Sequence, residues 1–417
     1  MWSGEYTAVI RDLHQKYGPI IRINPDEIHV SDPKFIETLY PSTGKKREIS
    51  PWFFRSFGMR RAPLSRFFSK AMVGKLEPVI KENAVKYCEN LKSWSGTNQP
   101  LNLITSISCF ATDVITGYLF GTSYNYLDDP KMEKSLYQPI HVGSEATITF
   151  KHFPLYMQLF LIIPTKVKKD IEEKIPRTRT TIFHDLLEGN LPESEKGTER
   201  LGREAQAMLG AGMETISWSL SVNLFHLLSS PSTMAKLRTE LEAAIPSTDP
   251  NTVPSWSTLE QLPYLNACVH EGLRLGYGVA SRLARISPDE PMIYNGPDKT
   301  WSIPPGYAVG MSSYIVHHDE SIFHDSKKYM PERWLDDDGK ISRNLEQYLL
   351  SFSKGSRGCL GMNLAWAELF IFLAMIVRCY GDRLELFETT LEDVEFHHDA
   401  FIPGIKPGTK GVRVLVN

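Results

Sequence analysis

Cys359 is the residue whose setting speaks most directly to chemistry. It lies in Phe352-Ser353-Lys354-Gly355-Ser356-Arg357-Gly358-Cys359-Leu360-Gly361. Gly355 and Gly358 allow a tight turn that brings backbone N–H groups toward the sulfur. An apolar helical stretch follows, and its positive end would favour the thiolate. Gly361 lets that helix approach a flat group closely, and Arg357 offers a guanidinium to a carboxylate. The chemistry implied is an anionic sulfur held ready to bind a metal. Taken alone, a cysteine in such a turn is more often a small buried hydrophobe.

Three further clusters stand upstream. Glu271 and Arg274 are one helical turn apart, a spacing that in isolation usually marks a solvated pair worth a few tenths of a kcal/mol. Pro331-Glu332-Arg333-Trp334 follows them. Ala211-Gly212-Met213-Glu214-Thr215 places an acid and an alcohol in the middle of a long apolar helix, a locally costly choice. There the Thr215 hydroxyl can bond back to the carbonyl of Ala211, bending the helix and opening a groove. His317-His318 and His397-His398 are adjacent pairs, and neighbours do not share a face on a helix or strand. No HExxH motif is present. No GxGxxG follows a strand, and Gly210-Ala211-Gly212 falls within a helix, so no nicotinamide or flavin site is evident.

The elements that must hold these residues are mainly helical. Ile20–Val30 reads as a hairpin around Asn24-Pro25-Asp26. Helical periodicity runs from about Lys70 to Gly121, with Pro78 suited to a first turn. A long helix is expected from Glu199 to Leu228, stopped by Pro231, and two more near Ser232–Ile245 and Leu259–Leu275. Arg282–Trp301 has the punctuation of short strands and turns. Leu360–Cys379 is helical. The segment from Phe387 onward is strand-like, with turns at Pro403-Gly404 and Pro407-Gly408. The fold class is therefore mainly α with small β-sheets near the two ends, an α+β chain read as one domain over 1–417.

Composition agrees with this. The 417 residues are 42% hydrophobic and 23% charged, enough for a large core. Forty-six basic against 49 acidic residues leave a net charge of −3, which argues against nucleic-acid binding. Five cysteines in no CxxC pair argue against a disulfide framework or a structural zinc site. The apolar runs Phe153–Pro164 and Leu364–Val377 are short for a membrane span. The second carries Glu368 and reads as a buried helix, while the first could be core or could touch a membrane surface.

Together these motifs resemble the cytochrome P450 family. FxxGxRxCxG matches its haem-binding signature, a coincidence on the order of 10⁻⁴ by chance. ExxR, the PERW segment and AGxET also stand in the family's order. The resemblance covers nearly the whole chain from Tyr17-Gly18-Pro19, and its texture is similar to that of microsomal-type fungal enzymes of secondary metabolism.

What the resemblance implies is specific. Cys359 would ligate the iron of haem b, with Phe352 and Gly361 shaping its loop. Arg357, Arg285 and Arg61 would hold the haem propionates. Glu214 and Thr215 would deliver protons to bound dioxygen, and Arg333 would join Glu271 and Arg274 in a buried network. The activity would be insertion of one oxygen atom from O₂ into a hydrophobic terpenoid, polyketide or alkaloid intermediate. Electrons would come from NADPH through a separate cytochrome P450 reductase, for which Lys354 and Lys70 are plausible contacts. Val279, Ala280 and Ile402 would shape the substrate pocket. Endoplasmic-reticulum association facing the cytosol is expected, although the chain starts near the family's first helix without an anchor. The loop before Arg61 is shortened, and Phe57 stands where relatives carry Trp or His. A haem-thiolate isomerase or dehydratase, or a catalytically impaired haem-binding protein, remain as alternatives.

Overall fold

The protein is described by a computed structural model over residues 4–50, 61–143 and 196–417, with Ile182, Phe183, Leu186 and Pro192 between them. The runs at 51–60 and Phe153–Pro164, including Phe57, lie outside the described residues.

Counting only helices of twelve residues or more, the described chain contains α1 Tyr6–Tyr17, α2 Lys70–Trp94, α3 Leu103–Phe120, α4 Thr198–Leu228, α5 Pro231–Ala244, α6 Pro263–Gly276 and α7 Met362–Tyr380. Twelve short strands accompany them. They are β1 Ile20–Asn24, β2 Glu27–Val30, β3 Glu48–Ile49, β4 Leu101–Asn102, β5 Arg285–Ile286, β6 Met292–Asn295, β7 Thr300–Ile303, β8 Ala308–Gly310, β9 Leu384–Leu386, β10 His398–Ala400, β11 Ile402–Gly404 and β12 Arg413–Val416. The expected class, mainly helical with small sheets, is the observed one.

The largest sheet runs β1-β2-β8-β5-β3, with β2 parallel to β8 and the other pairings antiparallel. The N-terminal hairpin is thus completed by strands from the middle of the chain. This corrects the expectation that the sheets gather at the sequence ends, because parallel pairing needs a distant partner.

Two local expectations are also corrected. Pro78 sits inside α2, whose start is set by Ser69, with its hydroxyl accepting from the Met72 N–H at 3.4 Å. Residue 74, four positions earlier, is glycine with open space where a side chain would stand. Pro403-Gly404 lies within β11, paired with β10, and the bend falls at Phe401 with φ of 79°. A two-stranded ribbon has edges on which proline costs no ladder bond.

The helical core forms around α3, α4, α6 and α7. Close approach between them is written in glycine. A Cβ on Gly212 would lie 2.9 Å from Ile115 of α3, and one on Gly272 would lie 2.2 Å from the Asn223 amide of α4. Asn223 uses the room to donate to the Cys268 carbonyl at 3.0 Å and accept from Tyr329 at 2.8 Å. Both α3 and α7 are long and apolar enough to cross a membrane, but 72% and 67% of their apolar windows are buried in the protein. They are core helices here, as read for Leu364–Val377.

After α6 the chain reverses through Tyr277 and Gly278, both in the left-handed region at φ of 60° and 66°. A Cβ on Gly278 would sit 2.1 Å from the Ser351 carbonyl oxygen, a backbone atom that cannot swing away. Gly278→Ala is expected to lower the unfolding free energy by about 1–3 kcal/mol, read as a lower urea midpoint. An unchanged midpoint would mean the two segments are not locked together.

Candidate functional site: a thiol hollow behind a buried charge network

The cysteine loop is built by backbone bonds. The Cys359 N–H donates to the Phe352 carbonyl at 2.7 Å, and the Gly358 N–H to that of Gly355 at 3.0 Å. Gly355 has φ of 68°, and a Cβ there would meet the Pro41 carbonyl at 2.6 Å. Gly358, with φ of −57°, is in an ordinary region, so of the two glycines only Gly355 is needed for its conformation. The Phe352 ring packs on Trp366 of α7 at 5.4 Å between centroids. Cys359 stands just before α7, whose N-cap is Gly361.

Cys359 is exposed, yet it is surrounded by enough protein to push its thiol pKa upward. The Gly361 N–H and the Arg61 guanidinium pull it the other way. The sulfur is therefore accessible yet set among enough protein to disfavour its charged form. A Cβ on Gly361 would meet nothing within 4 Å, so the helix start leaves open space beside the sulfur.

Three arginines converge on this region. Arg285 is buried and donates to the carbonyls of Leu283 and Ala284 at 3.0 and 3.3 Å, and to Ser353 at 3.3 Å. Burial lowers its pKa, and the positive charges of Arg357 and Arg61 lower it further. Burial likewise lowers that of Arg61, which feels both Cys359 and Arg357. Among the described residues none of the three has a carboxylate within 4 Å. Arg282, by contrast, is consumed by Glu27 at 2.7 Å. Half-buried cations without acids are costly unless an anion joins them. The accessible thiol and a guanidinium trio with no carboxylate partner among the described residues therefore fit a flat dianionic iron cofactor.

Behind the loop, Glu271 and Arg274 are fully buried. Arg274 Nε and Nη2 donate to the two oxygens of Glu271 at 2.9 and 2.8 Å. Glu271 also accepts from Arg333 Nε at 3.1 Å, the Met330 N–H at 2.9 Å and Trp334 Nε1 at 2.9 Å. Burial alone would raise its pKa, but Arg274, Arg333 and the Met330 N–H outweigh that and hold it below the usual carboxylate range. The surface-pair reading is overturned by this geometry.

Two members of the network were not recognised in the sequence. Trp334 supplies the fifth donor, its indole being apolar enough for the core and polar at one edge. His317, considered only as half of a possible metal pair, joins the network to the cysteine loop. Its Nδ1 donates to the Arg274 carbonyl at 2.8 Å and its Nε2 accepts from the Leu350 N–H at 2.8 Å. Burial lowers its pKa to about 3, so the ring stays neutral and can play both parts. Ser351 completes the link by donating to the Leu273 carbonyl at 2.7 Å.

On α4 the Thr215 hydroxyl donates to the Ala211 carbonyl at 2.7 Å, as the motif predicts. Ala207, Ala211 and Thr215, spaced one turn apart, keep some exposure, whereas the helix is buried on all sides from Ile216 to Phe225. These small residues form one open face on this half of the helix. The Glu214 carboxylate is buried and meets His141 Nδ1 at 3.2 Å, a partner with no motif to announce it.

Other expected positions are less distinctive. Lys354 is partly buried and donates to the Glu346 carbonyl at 2.9 Å, and Lys70 pairs with Glu260 at 2.7 Å. Ala280 and Ile402 are buried, while Val279 borders a small cavity with Tyr40 and Met311.

A four-sided assembly of buried ExxR network, glycine-shaped thiol loop, arginine trio and notched central helix defines a haem-thiolate protein. The cytochrome P450 family matches residues 2–185 and 177–389, and the chain belongs to that family. It is a haem b-dependent monooxygenase of this class. A cytochrome P450 monooxygenase of Cochliobolus heterostrophus is 38% identical over 466 aligned positions, which take in 99% of this chain and 87% of the relative. Those positions exceed the chain's 417 residues by 49, so the relative carries at least that many residues opposite gaps here. A tryptophan 6-hydroxylase of Fusarium equiseti is 36% identical over 99% of this chain and 87% of its own length. The stellatic acid synthase of Emericella variicolor is 33% identical over all of this chain and 86% of its own length.

Glu271→Gln leaves Arg274 and Arg333 buried against a neutral group, a loss of about 3–5 kcal/mol. Little soluble protein and a markedly lower melting temperature are expected. Lys236→Ala, which breaks an exposed pair with Glu332, serves as the comparison and should leave both near wild type. Equal behaviour of the two variants would sink the structural role of the network.

Proposed function

We propose that Cys359 supplies the axial sulfur to haem iron, and that Arg61, Arg285 and Arg357 bind the two propionates. The observation that carries this is the exposed thiol beside three guanidinium groups that have no carboxylate partner among the described residues. When bound, haem supplies dioxygen activation, with the thiolate favouring O–O cleavage.

The chain's own residues do the rest. The Gly361 N–H, with Arg61, favours the anionic form of Cys359. The Phe352 carbonyl and the Phe352–Trp366 packing hold the loop in place. Thr215, tied to the Ala211 carbonyl, presents a hydroxyl at the last open turn of α4, with Glu214 beside it as the acid of the pair. The small face Ala207–Ala211 leaves room for oxygen and substrate.

The substrate class is a hydrophobic secondary-metabolite intermediate of terpenoid, polyketide or alkaloid type. The named relatives extend the range to tryptophan derivatives, which makes tryptophan and N-acetyltryptophan reasonable first probes. Electrons come from NADPH through a separate flavoprotein reductase, and the enzyme works at the cytosolic face of the endoplasmic reticulum. The whole chain acts as one catalytic domain.

Haem-loaded protein, reduced under carbon monoxide, is expected to absorb near 450 nm, the family's mark of sulfur ligation. Cys359→Ser should abolish that band while circular dichroism stays unchanged. A 450 nm band surviving the substitution removes the ligand assignment. Thr215→Ala is expected to keep the band but release more hydrogen peroxide per NADPH oxidised. An unaltered ratio would reduce the Thr215–Ala211 bond to a packing device.

A further inference from the structure

Glu214 is nearly closed off from water, with its side chain 6% exposed. A buried carboxyl that is to hold and pass on protons needs a route by which they return. On α4 its neighbours Met213, Ile216 and Ser217 are buried, and the Ser217 hydroxyl is turned back onto the Met213 carbonyl at 2.6 Å.

A contact that crosses from Glu214 toward the surface is His141. Its Nδ1 lies 3.2 Å from Glu214 Oε1, and its side chain is 17% exposed, so one ring joins the buried carboxylate to the wetter side. The ring is oriented by Tyr137 one turn earlier, which stacks on it at 5.2 Å with an interplanar angle of 14°. Tyr137 is itself buried and its N–H is tied to Ser135 at 2.9 Å. The short helical segment at 137–143 also packs on α4, since a Cβ on Gly210 would touch Ile140 at 3.5 Å. Among the described residues the titratable groups facing His141 are therefore Glu214 from α4 and Tyr137 from its own segment.

We propose that His141 positions the Glu214 carboxylate and is the group through which it exchanges protons with solvent. The imidazole takes a proton at Nε2 from hydronium in solvent, releasing water, and its Nδ1 proton passes to Glu214 Oε1, leaving a neutral ring and a carboxylic acid. Only N–H and O–H bonds change, and no electrons move. Histidine suits the task because its ordinary pKa of about 6.5 lets it gain and lose a proton near neutrality. The proposal rests on the acid–alcohol reading of Glu214 and Thr215. His141 acts through Glu214, so it is a positioning residue rather than one touching substrate.

The first test needs no cofactor. Carbon-13 labelled histidine NMR of the cofactor-free protein, assigned by loss of one resonance in His141→Phe, gives the titration of the His141 ring. Replacing the neighbouring carboxyl in Glu214→Gln should lower the His141 pKa by about one unit or more. An unshifted titration would overturn the coupling. The second test uses haem-loaded enzyme with an NADPH-dependent flavoprotein reductase and follows oxygen consumption in H₂O and D₂O. His141→Phe keeps the stacking on Tyr137 but carries no proton. It should consume oxygen at least about ten-fold more slowly, with a larger solvent isotope effect and a flattened pH profile between 5 and 8. His141→Phe matching wild type while Glu214→Gln is impaired would defeat this proposal alone. If Glu214→Gln also matches wild type, the acid–alcohol reading fails with it.

Discussion

The structure around the thiol depends on one buried negative charge. Glu271 sits where no water reaches it, and such a carboxylate is tolerated only if surrounding donors replace its hydration. Five do so, from Arg274, Arg333, Trp334 and the Met330 backbone. Because these donors come from two distant segments, satisfying one charge fixes α6 against the Pro331–Trp334 turn. Arg274 then spends its remaining N–H groups on the carbonyls of His317, Ser326 and Lys328, fastening a third segment. A point charge with several directional donors is a stronger register device than apolar packing, which tolerates sliding.

That anchor reaches the reactive loop through short steps. His317 bridges the Arg274 carbonyl and the Leu350 N–H, Ser351 bonds the Leu273 carbonyl, and Gly278 admits the Ser351 carbonyl at a distance no side chain would allow. Residues 350 and 351 are thereby pinned immediately before Phe352, whose carbonyl receives the Cys359 N–H. The neutrality of His317 is essential to this link, since a protonated ring would have two donors and no acceptor for Leu350. Rigid support of this kind places a metal ligand reproducibly, which loops alone do poorly.

The opposite wall follows a different logic. The central helix α4 is buried on every side over its second half but keeps a stripe of small residues open before Thr215. Bending a hydroxyl back to the Ala211 carbonyl satisfies it locally and frees the groove from any need for a cross-strand partner. Glu214, one residue earlier and turned away from that stripe, instead meets His141 on a separate segment. One wall is thus fixed by a charge network and the other by local hydrogen bonds, and among the described residues no carboxylate neutralises the arginine trio near the thiol loop.

Much of this was legible in the residues themselves. Motifs that are local in sequence carry their own geometry: Gly355 ahead of Cys359 permits a turn, the i,i+3 spacing of Glu271 and Arg274 dictates a shared helix face, and Thr215 can reach back to its own Ala211 carbonyl. The helical class and the buried character of α7 followed from periodicity for the same reason. What depended on tertiary structure were relations between distant segments, which no local spacing encodes. Trp334 as a fifth donor, His317 as a bridge, the place of Pro78 in the interior of α2, the closure of β2 onto β8, and the meeting of His141 with Glu214 all arise only when the chain has packed. A side chain's partner across the core is chosen by the fold, whereas its reach along its own helix or turn is set by covalent geometry.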